Sequence, residues 1–208
     1  MKTIFKKIFD LHHWYDEESK SGPGSGLSQT RAVRKFLSDL LVQLQASTIL
    51  DIPCGDFYWM KEVDLADCNY CGADIVDDII NQNKIMYSNR RRKFIVADLT
   101  TSRLPVADLI LCRDCLVHFS YEDIRKALAN IQNSECKYLL TTTFPGRINK
   151  DIRTGEWRPI DLEASPFFLR KPLRLFNENC TEGHGQYKDK SLALWRIDRL
   201  YPSDHDYA

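Results

Sequence analysis

The chain has 208 residues, and its 29 Lys and Arg balance 29 Asp and Glu to give no net charge at neutral pH. That length can bury a full core without disulfides or a structural metal. The charge balance excludes a protein that grips long nucleic acid by neutralising phosphates, and it excludes a charged disordered tail. Nine glycines and eight prolines, against the roughly 25 of average usage, exclude collagen-like and low-complexity sequence.

In Met1–Trp14 the apolar residues Ile4, Phe5, Ile8 and Phe9 fall at helical spacing, with Lys2, Lys6 and Lys7 off that stripe. Lys6, Lys7 and Asp10 interrupt any secretory h-region, and the chain holds no run of 18 apolar residues. The stripe has two readings: packing on the domain, or lying on an anionic membrane surface. A glycine-rich loop, Glu17–Ser28, comes next and reads as a hinge or as a lid over a ligand, with Ser21, Ser25 and Thr30 as donors. A second helix is expected from Thr30 to Gln45.

From Thr48 onward short apolar runs alternate with helical stretches. The expected strands are Thr48–Pro53, Asn69–Ile75, Phe94–Leu99, Ala107–Cys112 and Lys137–Phe144. The expected helices are Phe57–Val63, Val76–Ser88 with Ile79, Ile80 and Ile85 apolar, and one capped by Ser120 that runs to Gln132. Such alternation of continuous apolar strands with helices implies a parallel sheet covered on both faces. Pro145–Pro172 has no period and reads as a functional loop. Two last strands, Leu173–Asn177 and Leu192–Ile197, are joined too closely for a helical crossover and should pair antiparallel.

In such a sheet ligands bind beyond the carboxyl ends of the strands. The residues there are Asp51, Pro53, Cys54, Gly55 and Asp56 after the first strand, Asp74 and Ile75 after the second, Asp98 and Leu99 after the third, and Cys112, Arg113 and Asp114 after the fourth. One acid at a strand tip is often only a helix cap. Acids at three neighbouring tips suit a ligand with ribose hydroxyls, an adenine amino group or a cationic amino acid moiety. The turn Pro53-Cys54-Gly55-Asp56-Phe57 holds one glycine, which is weak for a dinucleotide pyrophosphate.

Seven cysteines cannot all pair within one chain and are read as packed thiols in a reducing, cytoplasmic setting. The pairs Cys68/Cys71 and Cys112/Cys115 are 40 residues apart, outside zinc-ribbon spacing, and Cys71 and Cys112 fall inside strands, so no metal is expected. Arg90–Lys93 lies at the amino edge of the sheet and reads as a solvated turn.

These residues resemble the class I S-adenosylmethionine-dependent methyltransferases. Asp51 and Gly55 match the family's first motif, although Pro53 and Phe57 replace two of its usual glycines. Asp74 matches the ribose-holding acid, Asp98–Leu99 the position beside adenine, and Ala107–Ser120 the stretch that faces the methyl group. The strings SGPGSGL, DIPCGDFYWMK, TGEWRPIDL and CTEGHGQYKDKSLALWRI are similar to a bacterial subgroup found alone or beside glycosyltransferase domains. The resemblance implies an α/β, Rossmann-like seven-stranded sheet of order 3-2-1-4-5-7-6, its last strand antiparallel, with helices on both faces. It also implies a cap and lid over residues 1–46 that joins the methyltransferase domain, residues 47–208, as one unit. The implied cofactor is S-adenosylmethionine, held by Asp51, Pro53, Cys54, Gly55, Asp56, Asp74, Ile75, Asp98, Leu99, Cys112 and Arg113. Asp114 and His118 are the catalytic candidates, and His118 can equally be a pocket wall. The implied activity is methyl transfer to oxygen of a small molecule or glycan. The alternatives are RNA or protein methylation, or a scaffold that keeps the fold. Polar candidates for the acceptor are Arg147, Asn149, Asp151, Trp157, Arg158, Glu182, His184, Tyr187 and Lys190.

Overall fold

The computed structural model describes residues 1–14 and 16–202. Its seven strands are β1 (Thr48–Asp51), β2 (Asn69–Asp74), β3 (Arg92–Val96), β4 (Leu109–Cys112), β5 (Tyr138–Thr143), β6 (Arg174–Asn177) and β7 (Ser191–Arg196), in the order β3-β2-β1-β4-β5-β7-β6. β7 runs antiparallel to both β5 and β6, and the remaining pairs are parallel. The expected order and the single reversed strand are both present. The helices are α1 (Lys2–Asp10), α2 (Arg31–Gln43), α3 (Asp77–Tyr87) and α4 (Tyr121–Gln132).

Apolar side chains alternate along the strands and build one core on each face. Ile49, Leu109, Leu111 and Leu140 meet Val33, Leu37, Leu40 and Leu41 of α2. Leu50, Ile110, Cys112 and Leu139 face Ile124, Ala127, Leu128 and Ile131 of α4 on the other side. The Ser120 hydroxyl accepts the Asp123 N–H at 3.2 Å and caps α4 as its sequence predicts. The parallel register sets Asp51 level with Gly72 and Leu111, and Asp74 level with Val96, so both acids sit at one edge of the sheet.

Two local expectations fail. Phe57–Val63 is not an α-helix but a loop ending in one 3-10 turn, Met60–Glu62. Phe57 has φ 60°, which no right-handed helix accepts, and its ring packs on Tyr70, Tyr87 and Phe94. In α3 the buried side is Ile79, Ile80 and Asn83, and Ile85 is 86% exposed. β3 also begins earlier than expected, at Arg92, so Asp98 and Leu99 lie in the turn beyond it. Among the described residues no helix is long and apolar enough to cross a membrane.

Candidate active site

The carboxyl edge of β1, β2 and β4 opens into a cavity of about 1170 Å³, counting the space at its mouth. Asp51, Pro53, Cys54, Gly55, Asp56, Asp74, Ile75, Leu99, Arg113, Asp114 and His118 all line it. Two expected residues do not. Cys112 is wholly buried in the core against α4. The Asp98 carboxylate turns away and accepts the Thr100 N–H and hydroxyl at 2.8 and 2.6 Å.

Asp51 and Asp74 are 3% and 5% exposed, and no cation among the described residues is bonded to them. Burial pushes Asp51 up to about 7, against the opposing bond from the Tyr70 hydroxyl at 2.6 Å. Burial also pushes Asp74 up to about 6, against the N–H groups of Val76 and Gly55 at 3.0 and 3.1 Å. Sequence reasoning missed Tyr70, which stands opposite Ile49 in the β1–β2 register and reaches Asp51 from behind the cavity wall through its hydroxyl.

The glycine-rich loop closes over β1. Asp56 accepts the Ser19 and Ser21 hydroxyls at 3.0 and 3.2 Å and the Lys20 N–H at 2.7 Å. Gly55 lies at φ 52°, and a Cβ there would collide with the Ser21 hydroxyl, so the loop approaches as closely as the missing side chain allows. Ser21 and Ser25 line the cavity as expected of a lid. Thr30 does not: its hydroxyl donates to the Gly26 carbonyl at 2.9 Å. Above the lid, Met1, Phe5, Ile8 and Phe9 turn the α1 stripe into the roof. Lys2 and Lys6 tie that roof to Asp77 and Asp78 at the start of α3, at 2.6 and 2.7 Å.

His118 sits in a short turn, Leu116–His118, ahead of α4. Its Nδ1 lies 2.9 Å from the Glu156 carbonyl, a partner that can only accept, so in the neutral ring Nδ1 carries the proton and Nε2 the lone pair. The Trp14 ring covers it at 4.5 Å between centroids. Burial lowers its pKa to about 4. Arg158 holds this turn through the Leu116 and Phe119 carbonyls at 2.9 and 2.7 Å.

Beside His118 lies a buried cluster of charges. The Lys190 ammonium donates to Asp114 Oδ2 at 2.6 Å and lies 3.7 Å from both Glu178 and Glu182. Arg113 sends Nε and Nη2 to Glu178 Oε2 at 3.2 and 2.7 Å and reaches the lid at the Gly24 carbonyl, 2.9 Å away. Among the described residues Glu178 Oε1 has no hydrogen-bond partner. Burial would raise the Asp114 carboxyl, but Lys190 and Arg113 outweigh it and bring it down to about 2. Glu178 went unnoticed in the sequence, since its partner is 65 residues away.

Most loop candidates are structural. Arg147 pairs with Asp189 at 2.6 Å, Asn149 donates to the Asp161 and Ser165 carbonyls, and Asp151 accepts the Tyr121 N–H. His184 is exposed, and Trp157 packs on Tyr187 at 4.8 Å. All seven cysteines are unpaired and buried. Among the described residues no group of three or more His, Cys, Asp or Glu is arranged to hold a metal ion.

No protein-family model matches the chain, and no curated protein matches it in sequence. Solved structures match in shape. The PH0226 protein of Pyrococcus horikoshii superposes with a TM-score of 0.64 at 14% identity, over 90% of this chain and 98% of that one. The methyltransferase domain of bacterial CtHen1 gives 0.58 at 12% identity, over 82% and 100%. Human N-acetylserotonin methyltransferase, solved with S-adenosylmethionine, gives 0.55 at 14% identity, over 91% of this chain and 65% of that one. The fold is therefore the Rossmann-like methyltransferase fold.

Proposed function

We propose that this chain is an S-adenosylmethionine-dependent methyltransferase acting on a hydroxyl of a small-molecule acceptor. The observation that carries the reading is the pair of buried carboxylates, Asp51 and Asp74, at adjacent strand ends facing one roofed cavity in this fold. A buried acid without a cation calls for donors from a ligand. A ribose diol at Asp74 and a cationic amino acid end near Asp51 supply them, and the close Gly55–Ser21 approach suits a cofactor without phosphates. Pro53, Cys54, Ile75 and Leu99 form the remaining wall.

When bound, S-adenosylmethionine supplies an electrophilic sulfonium methyl and leaves as S-adenosylhomocysteine, the electron pair of the broken C–S bond staying on sulfur. The chain's part is alignment and removal of a proton. The roof of α1 and the Ser19–Ser25 loop exclude water. His118 offers Nε2 to the acceptor hydroxyl, whose oxygen becomes strongly acidic as the methyl arrives, so a weak base held in place suffices late in the transfer. The unpaired thiols suit a reducing compartment, the cytoplasm. A glycan acceptor is the second reading, favoured by Trp157, 40% exposed beside Tyr187. Replacing Asp74 with alanine tests the assignment. Loss of charge-assisted bonds worth about 1.5–3 kcal/mol each should weaken cofactor binding by about tenfold or more. An unchanged dissociation constant would refute the role of Asp74.

A further inference from the structure

We propose that Asp114, locked in place by Lys190 and Arg113, anchors the methyl acceptor and selects a small phenolic molecule that carries no negative charge. The proposal rests on the methyltransferase reading and adds the acceptor's chemistry to it.

Asp114 ends the β4 edge at φ 51°, with its N–H donating to the Thr142 hydroxyl at 2.8 Å. Its two oxygens differ. Oδ2 takes Lys190 at 2.6 Å and Arg113 at 3.2 Å. Oδ1 has only a long 3.4 Å contact with the Thr142 hydroxyl, so it is the oxygen left to accept from a ligand. Lys190 is 4% exposed and ringed by Asp114, Glu178 and Glu182, which fixes the anchor from behind. His118 Nε2, on the same cavity wall, is also an acceptor. Two acceptors facing one space need a molecule that brings donors.

Charge and shape narrow the class. The cavity is lined by the carboxylates Asp51, Asp56, Asp74 and Asp114 and by only two lysine or arginine side chains, Lys20 and Arg113. Arg113 is already bonded to Glu178 and Gly24, and Lys20 lies over the Phe9 ring and reaches Gln82. With both cations engaged, an anionic acceptor would find no free cation to pair with and would face the Asp114 carboxylate at the anchor. The rings of Phe5, Phe9, Trp14, Trp59 and Phe119 supply flat apolar walls. Overhead the lid comes down on the anchor: a Cβ on Gly24 would stand 3.3 Å from Asp114 Oδ2 and 3.5 Å from Lys190 Nζ.

The test is calorimetric binding of four probes to the protein saturated with S-adenosylhomocysteine. Three phenols differ only in one ring substituent: tyramine, 4-hydroxybenzyl alcohol and 4-hydroxybenzoate. Glucose is the fourth. The expected result is binding of tyramine and 4-hydroxybenzyl alcohol, 4-hydroxybenzoate at least about tenfold weaker, and no binding of glucose. Asp114→Asn suits the left-handed backbone and leaves two carboxylates facing two cations in the cluster, so it should still bind S-adenosylhomocysteine. In that variant the gap between tyramine and 4-hydroxybenzoate should narrow by at least about threefold. Equal binding of 4-hydroxybenzoate, a gap unchanged in Asp114→Asn, binding of glucose, or binding of none of the phenols would each overturn the proposal. Failure of S-adenosylhomocysteine itself to bind would overturn the methyltransferase reading, and the acceptor class with it.

Discussion

Replacing Asp51 with asparagine should stabilise the ligand-free protein while weakening its hold on the cofactor. Asp51 is 3% exposed, and its pKa rises from 3.8 to about 7 because burial disfavours the charged form. A folded-state pKa above the unfolded one contributes stability below the unfolded value and loses it as pH rises through the folded value. Keeping Asp51 ionised therefore costs nothing below pH 3.8 and grows to about 4 kcal/mol above pH 7, from roughly three units at 1.36 kcal/mol each. Asparagine never ionises, and its carbonyl oxygen can still accept the Tyr70 hydroxyl that now donates at 2.6 Å. Exchanging a charged for a neutral acceptor gives back about 1 kcal/mol. The net gain is about 3 kcal/mol at pH 8, or about 6–12 °C in Tm for a chain of this size. At pH 5 less than half of the ionisation cost is present, so the gain shrinks to about 1 kcal/mol or less. Urea unfolding of both proteins at pH 5 and pH 8 measures it. A variant less stable than wild type at pH 8, or a gap equal at both pH values, would refute the burial argument.

The roof is testable by deleting residues 1–14, which removes Met1, Phe5, Ile8, Phe9 and Trp14 from the cavity. Tm should fall and cofactor affinity should drop about tenfold or more as apolar contacts are lost. Unchanged values together with lost liposome co-sedimentation would assign α1 to a membrane instead. His118→Gln should slow methyl transfer by about a hundredfold or more with little effect on cofactor binding. With cofactor and acceptor saturating, so that protonation of Asp51 and Asp74 near pH 6–7 does not limit binding, the wild-type rate should fall below about pH 4, where His118 takes up a proton and Nε2 can no longer accept. A low-pH limb that persists unchanged in His118→Gln would show that another group governs the step.

The strand order followed from the methyltransferase resemblance, and the covered parallel sheet was legible because β1, β2, β4 and β5 are largely apolar runs buried on both faces. The acids at their ends were legible for the same reason, since packing does not select charge there. Phe57–Val63 misled because Phe57, Met60 and Val63 recur every three residues. That spacing fits a 3-10 turn as well as an α-helix, and the backbone at Phe57 decides between them. Asp98 misled because an acid beside a strand end also closes its own turn, here on Thr100. The charge cluster was not legible: Lys190 and Asp114 are 76 residues apart, and only the antiparallel return of β7 beside β5 brings them together. Arg147, Asn149, Asp151 and Arg158 have the composition of a ligand site but serve to fasten a loop without regular structure.

The most direct test of the account is isothermal titration of the full chain with S-adenosylmethionine and, separately, with NADH. The account predicts one binding event per chain for S-adenosylmethionine, weakened in Asp74→Ala, and no heat of binding for NADH, whose pyrophosphate finds one glycine in the Pro53–Phe57 turn rather than a phosphate-binding loop. Binding of NADH without S-adenosylmethionine, or binding of neither, would contradict it.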